Sequence, residues 1–263
     1  MARKYERIAE DLRRQILKSE LAPGTQMPSH TALAEKYRVS LPTVQQALGV
    51  LETEGLIDAV HGIGTYVRAN MQPLRRKNDR YQWEKNRALL EEDERLKTGG
   101  TEHDTGLTVS DLEFYSRYRI EDAAEDLAEA FNVETGTKLL HRIYRTSIHS
   151  EEVVISMSDS YLLYEVVASN PNLLSAANEP WPGGTHHQLR TVGIEIDRVL
   201  DEVSARPPRG EEAELLGIKP GVAVLTLRKT SYDTDGRVVE VANAIMPGDR
   251  TILNYETKLD RWP

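Results

Sequence analysis

The sequence predicts an α+β protein in two parts: a small N-terminal helix-turn-helix domain with a hairpin wing, then a larger strand-rich body with helices. Three observations predict it. Residues 27–67 set two short amphipathic segments around a tight turn and follow them with a glycine-bounded hairpin pattern. Beyond residue 110, β-prone runs alternate with a short Ala- and Leu-bearing helical pattern and finish in a hairpin turned at residues 233–236. Charge divides at a similar place. Residues 1–80 hold 13 Lys and Arg against 9 Asp and Glu, whereas the remaining 183 hold 20 against 33, which gives the net −9. A mildly basic head on an acidic body allows contact with a polyanion through the head while limiting non-specific adhesion.

Taken in order, residues 4–19 form a first helix with Tyr5, Ile8, Ala9, Leu12 and Ile16 on one stripe, broken at Pro23 and Gly24. Ser29 caps a second helix whose Leu33, Ala34 and Tyr37 share a face. The turn Arg38-Val39-Ser40 leads to a third helix, with Ser40 as its N-cap and Pro42 in its first turn. Val44, Ala47, Leu48 and Leu51 form its apolar stripe, and Thr43, Gln45 and Gln46 its polar one. Two amphipathic helices around a three- to four-residue turn, the second opening on polar groups, are the signature of a DNA-reading motif. Gly55 ends the third helix. Leu56-Ile57 and Thr65-Tyr66-Val67 then flank His61-Gly62-Ile63-Gly64 as a two-stranded wing. Residues 69–80, with Pro73 and the run Arg75-Arg76-Lys77, read as a basic linker, and residues 81–97 as partly helical. In the body, strands are expected at 111–119, 138–148, 153–161, 191–203, 222–232 and 238–245, and helices at 123–131, 162–168 and 211–216, without an evident internal repeat.

Composition excludes whole classes of function. The chain has no cysteine, so disulfides and thiolate metal sites are ruled out. No apolar run approaches the roughly 20 residues of a membrane span. The opening Met1-Ala2-Arg3-Lys4-Tyr5-Glu6 lacks an apolar signal core, and a cytoplasmic protein without membrane contact is expected. Neither Gly-x-Ser-x-Gly nor a phosphate-binding Gly-x-x-x-x-Gly-Lys occurs. His186 and His187 are neighbours, which on a strand would point to opposite faces. No catalytic residue, metal or cofactor is expected.

Residues Tyr5, Ile8, Leu12, Gly24, Met27-Pro28-Ser29, Leu33-Ala34, Tyr37, Val39-Ser40, Thr43-Val44, Ala47-Leu48, Glu54-Gly55-Leu56-Ile57 and Gly62-x-Gly64-Thr65-Tyr66-Val67 together resemble the winged helix-turn-helix domain of the GntR family of bacterial transcriptional regulators. The resemblance implies a double-stranded DNA operator as partner, contacted through Ser29, Thr31, Ser40, Thr43, Gln45, Gln46, His61, Gly62, Gly64 and Thr65. Four positions where the family habitually carries a cation hold Thr31, Leu41, Gln45 and Ile63. A shallow salt dependence per subunit is therefore expected, because each lost phosphate contact removes about 0.9 from the log–log slope. Gln45 and Gln46 carry amides able to read adenine through a bidentate pair.

The series Arg206-Pro207-Pro208, Glu211 to Gly217, Pro220-Gly221, Leu227 to Glu240 and Gly248-Asp249-Arg250 is similar to the UTRA effector-binding domain of the HutC subfamily, a fold related to chorismate lyase. That resemblance implies an antiparallel sheet with helices around a small-molecule effector pocket, and dimerisation through the same domain. The positions matching the pocket are Arg142, Arg145, Ser158, Ser160 and Glu240. The family's Arg-x-Arg is here Arg142-x-Tyr144, and a customary tyrosine is Met246. The expected division is residues 1–69 as DNA-binding head, 70–84 as basic linker and 85–258 as effector-binding body. The expected function is that of a ligand-responsive repressor binding a pseudo-palindromic operator as a homodimer. The alternative is a small-molecule-binding protein or lyase-like enzyme whose head serves only assembly.

Overall fold

A computed structural model describes residues 3–60, 62–68, 74–149, 153–218 and 221–260. The chain divides into two compact units, Met1–Pro73 with Pro207–Ala223, and Leu74–Arg206 with Val224–Pro263.

In the first unit, α1 (Lys4–Leu17), α2 (His30–Tyr37) and α3 (Leu41–Thr53) precede the antiparallel hairpin of β1 (Ile57–Val60) and β2 (Gly64–Val67). The periodic apolar residues of all three helices meet in one core, with Leu12, Leu33, Val44, Ala47 and Leu51 fully buried. Arg13 of α1 donates to both carboxylate oxygens of Glu54, and Tyr37 of α2 donates to Asp11 at 2.7 Å. These contacts fix the helices by side-chain hydrogen bonds outside the apolar centre. Ser29 caps α2 by accepting from Ala32 N–H at 3.2 Å. Ser40 occupies the matching place before α3 but makes no such cap bond. Pro42 has removed one donor, and the Thr43 N–H goes to the Ser40 carbonyl at 3.0 Å. The Ser40 hydroxyl lies instead 2.9 Å from that of Thr43.

The second unit opens with β3 (Leu74–Lys77), α4 (Arg80–Arg87), α5 (Glu92–Leu96) and α6 (Gly100–Thr105). There follow β4 (Leu112–Asp122), α7 (Glu125–Phe131), β5 (Lys138–Ile148), β6 (Val153–Leu163), α8 (Tyr164–Val167), α9 (Gly184–Arg190) and β7 (Ile196–Arg206). The chain passes through α10 (Glu212–Leu215), which groups with the first unit, then returns as β8 (Val224–Asp233), β9 (Val238–Pro247) and β10 (Thr251–Asn254). Six strands form one antiparallel sheet in the order β4-β5-β6-β9-β8-β7.

Four expectations need correction. The basic run Arg75-Arg76-Lys77 is not an extended linker: it forms β3, paired in parallel with β10, and residues 80–84 already belong to α4. The strand expected at 191–203 begins at Ile196. Thr191 closes α9 and Gly193 turns the chain at φ +78°, so Val192 and Ile194 reach the core from a turn. His186 and His187 lie on a helix, α9, rather than a strand. The body does contain a repeat. The order strand, helix, strand, strand occurs twice, as β4-α7-β5-β6 and β7-α10-β8-β9, and the sheet order mirrors it about the β6–β9 pair. Asn132 and Gly217 end the equivalent helices in the left-handed region at φ 54° and 58°, and Gly136 and Gly221 follow at 89° and 94°. Backbone conformation carries the duplication more plainly than residue identity does. Among the described residues no helix is long and apolar enough to cross a membrane.

Candidate functional site

Two sites are built by these elements, one in each unit. In the first, burying Val44, Ala47, Leu48 and Leu51 forces the opposite face of α3 outward. Gln45 and Gln46 are exposed there, Ser40 is exposed at the helix start and Thr43 is half-buried. Ser29 and Thr31 are exposed at the start of α2. In the wing Gly62 is exposed and Gly64 and Thr65 are half-buried, whereas His61 lies outside the described residues. The hydrophobic Leu41 and Ile63, standing at two of the habitual cation positions, are 47% and 66% exposed.

Residues 24–27 add a third strand-like segment to the wing, which sequence reading missed. Met27 N–H donates to Thr65 O at 2.7 Å, Val67 N–H to Thr25 O at 2.8 Å, and Gln26 Nε2 to Ile63 O at 3.3 Å. Beside this segment Gly64 holds φ +151°, a conformation unfavourable for a residue with a side chain, and a Cβ there would also displace the Gln26 amide, 2.4 Å away. Gly64→Ala is expected to lower the stability of this unit by about 1–3 kcal/mol, read as an earlier thermal transition. An unchanged transition would mean that the wing tolerates a side chain there.

The second site lies on one face of the six-stranded sheet. Side chains alternate along each strand, so the pairs Tyr118↔Arg142 and Arg142↔Ser160 put these three residues on the same face. Ser158 and Tyr144 pair one step further along it. Arg142 is 1% exposed and Glu240 likewise. Arg142 Nη2 donates to Glu240 Oε1 at 2.8 Å and to Ser160 Oγ at 2.6 Å, and its Nη1 donates to Gln188 Oε1 of α9 at 2.5 Å. Ser160 itself donates to Glu240 at 2.6 Å, and Lys229 Nζ approaches the other Glu240 oxygen at 2.7 Å. Burial alone would raise the Glu240 pKa. Lys229 and Arg142 outweigh it and hold the carboxyl down at about 2.

Arg145 stands one place out of step with Arg142 along β5 and makes no hydrogen bond to this group. It stacks over the Tyr115 ring at 5.7 Å, and both residues border the cavity.

Beside the ion pair, Glu179 collects hydroxyl and amide donors: Tyr144 OH at 3.0 Å, Gln188 Nε2 at 2.9 Å and Trp181 N–H at 2.7 Å, with Tyr118 OH closer still. Burial, reinforced by Glu179, pushes the Tyr118 phenol up to about 12, although Arg142 opposes the shift. Above this floor α4, α6 and α9 supply Arg80, Asp104, Glu84 and His186. Arg80 bridges Glu84 and Asp104. Burial, the largest influence, lowers the pKa of His186. The cavity measures about 300 Å³. Of the residues singled out in the sequence, Arg145, Ser158, Ser160 and Glu240 border the cavity and Arg142 lies beneath its floor, whereas Glu179, Gln188, Thr185, Arg80 and Asp104 were not among them. The one signal available was the tyrosine at 144. Among the described residues no cluster of three His, Asp or Glu side chains is placed to hold a metal ion.

Known proteins resemble both parts of the chain. Residues 4–67 match the model of bacterial regulatory proteins of the gntR family, and residues 115–252 match the UTRA domain. An HTH-type transcriptional regulator of Streptomyces coelicolor is 30% identical over 98% of this chain and 94% of its own length. The HTH-type transcriptional repressor NagR of Bacillus subtilis is 27% identical over 97% of this chain and 95% of its own. The mannosyl-D-glycerate transport/metabolism system repressor MngR of Escherichia coli is 24% identical over 90% and 88%. Among solved structures, a GntR-family regulator superposes with a TM-score of 0.65 at 27% identity, covering 98% of both chains. PhnF of Mycobacterium smegmatis, at 20% identity and a TM-score of 0.53, shares the fold.

Proposed function

Because this chain belongs to the GntR family of bacterial regulatory proteins, a transcriptional regulator with a UTRA effector-binding domain, we propose that it is a repressor whose dimer binds a pseudo-palindromic operator and leaves it when a small molecule fills the cavity. The observation that carries the proposal is the outward polar face of α3 beside the wing. Gln45 and Gln46 are exposed there, with amides free to meet base edges in a major groove. The names of the relatives NagR and MngR, both repressors, favour repression over activation. Two copies would set two α3 helices about one turn of DNA apart. The Arg142–Glu240 network and the cavity above it form the effector site. A bound molecule gains leverage only through its different affinity for the DNA-competent and DNA-released states. Ser29, Thr31, Ser40, Thr43, Gly62, Gly64 and Thr65 would position the head on the backbone.

A gel-shift titration on the duplex upstream of the chain's own gene, repeated at several salt concentrations, tests this. The expected result is a saturable, competitor-resistant complex whose log–log salt slope is shallow, because Thr31, Leu41, Gln45 and Ile63 carry no charge to phosphate. Equal affinity for a scrambled duplex at every salt concentration would overturn the proposal.

A further inference from the structure

Resting on the reading of the head as a DNA-binding unit, we infer that its contact with the duplex runs from Arg38 to Gly49. Arg38 anchors a backbone phosphate at the leading end of α3, and Gly49 lets the duplex close on the middle of that helix. The first ground is the conformation of Arg38, which ends α2 two residues before Ser40 opens α3. It holds the left-handed region at φ 54° and ψ 52°, where glycine sits freely and a long side chain crowds the backbone. Among the described residues the other non-glycine positions with positive φ are Ser19 and Asn132, both short and polar. Arg38 is exposed, and no acidic side chain holds it. Elsewhere in the head Arg13 is bound by Glu54 and Glu10, and Arg14 by Asp11. A strained residue persists where something beyond the fold selects its side chain, and a free cation beside the reading helix is placed for phosphate.

The second ground is Gly49. It lies well inside α3, where glycine weakens the helix against any ordinary helix former. Helical spacing puts it on the stripe of Pro42, Gln45 and Gln46, one turn beyond the two amides, and all four residues are exposed. Its φ is not a positive one that would call for glycine. Beyond its own helix backbone and chain neighbours, no atom lies within 4 Å of where a Cβ would be. Neither packing nor backbone geometry therefore accounts for the missing side chain. A partner that comes close on that face does, because a bare position lets the wall of a groove approach the helix backbone. Arg38 and Gly49 each hold a residue that the isolated fold disfavours, and the outward amides lie between them along the chain.

The test follows the anisotropy of a labelled duplex from upstream of the chain's own gene, titrated with full-length Arg38→Gly and Gly49→Gln variants, alongside a thermal melt of each. Glycine fits φ 54° without strain and glutamine favours a helix, so both melts are expected to hold or to rise by up to about 4 °C. Arg38→Gly is expected to weaken binding about eightfold at 0.1 M salt, for specific and scrambled duplexes alike, and to take about 0.9 off the log–log salt slope. Gly49→Gln is expected to weaken the specific complex at least about tenfold with the slope unchanged, since it adds bulk and no charge. Either variant binding as tightly as the unaltered chain overturns the inference, as does a slope that Arg38→Gly leaves as it was. A melt lowered by more than about 5 °C in either variant overturns it too, because that residue would then serve the fold. If the unaltered chain forms no specific complex, the reading of the head falls and this inference with it. If the complex forms and the variants match it, the inference alone falls.

Discussion

Replacing Arg142 by methionine is expected to destabilise the second unit by about 3–5 kcal/mol, the usual penalty for stripping one partner from a buried ion pair. Glu240 is 1% exposed, and the substitution takes away its 2.8 Å guanidinium contact while leaving the carboxylate in place. Lys229, at 2.7 Å from the other oxygen, keeps the effect toward the lower end of that range. Adding Glu240→Gln in the same chain is expected to recover much of the loss, since the uncompensated charge is then gone and Lys229 can turn toward water. The pH dependence follows from the same geometry. With its folded pKa held at about 2 against an ordinary 4.5, Glu240 contributes stability in full above pH 4.5 and loses it progressively as pH falls toward 2. The Arg142→Met variant is expected to lose less over that window. Denaturant titration at pH 7 and pH 3 measures both effects. A change below about 1 kcal/mol at pH 7 would mean that water reaches Glu240.

The second large effect concerns DNA. Gln45→Ala with Gln46→Ala is expected to weaken operator binding by about 10- to 100-fold, given about 1–3 kcal/mol for each bidentate base contact. Stability should hardly move, because both side chains are exposed and alanine favours the helix. Anisotropy titration of a labelled operator and a thermal melt of the same preparation separate the two outcomes. A double variant that binds as tightly as the unaltered chain would show that recognition comes from elsewhere on the head.

The head was legible in the sequence because its signals are local. The cap at Ser29, the left-handed glycine at Gly55 and the apolar stripes each depend on a few neighbouring residues. The β5 strand was equally plain, since eleven residues without Gly or Pro read as one run. What escaped depends on pairings distant in the chain. The Arg75-Arg76-Lys77 run looks like a solvated linker until β10, far along the chain, offers it a partner. Glu179 and Gln188 entered the site through a loop and a short helix whose Gly183-Gly184 start reads as irregular chain. The twofold repeat was hidden because its halves share turn conformations, Asn132 answering Gly217, while their core residues differ.

The claim on which all of this depends is that the exposed amides of α3 lie against DNA bases. Photo-crosslinking from a benzophenone side chain placed at position 46, with a control at position 235 in the exposed β8–β9 turn, reads this directly. The account predicts crosslinks to bases within the bound operator from position 46 and none from position 235. A retarded duplex that forms no crosslink from position 46 would contradict it.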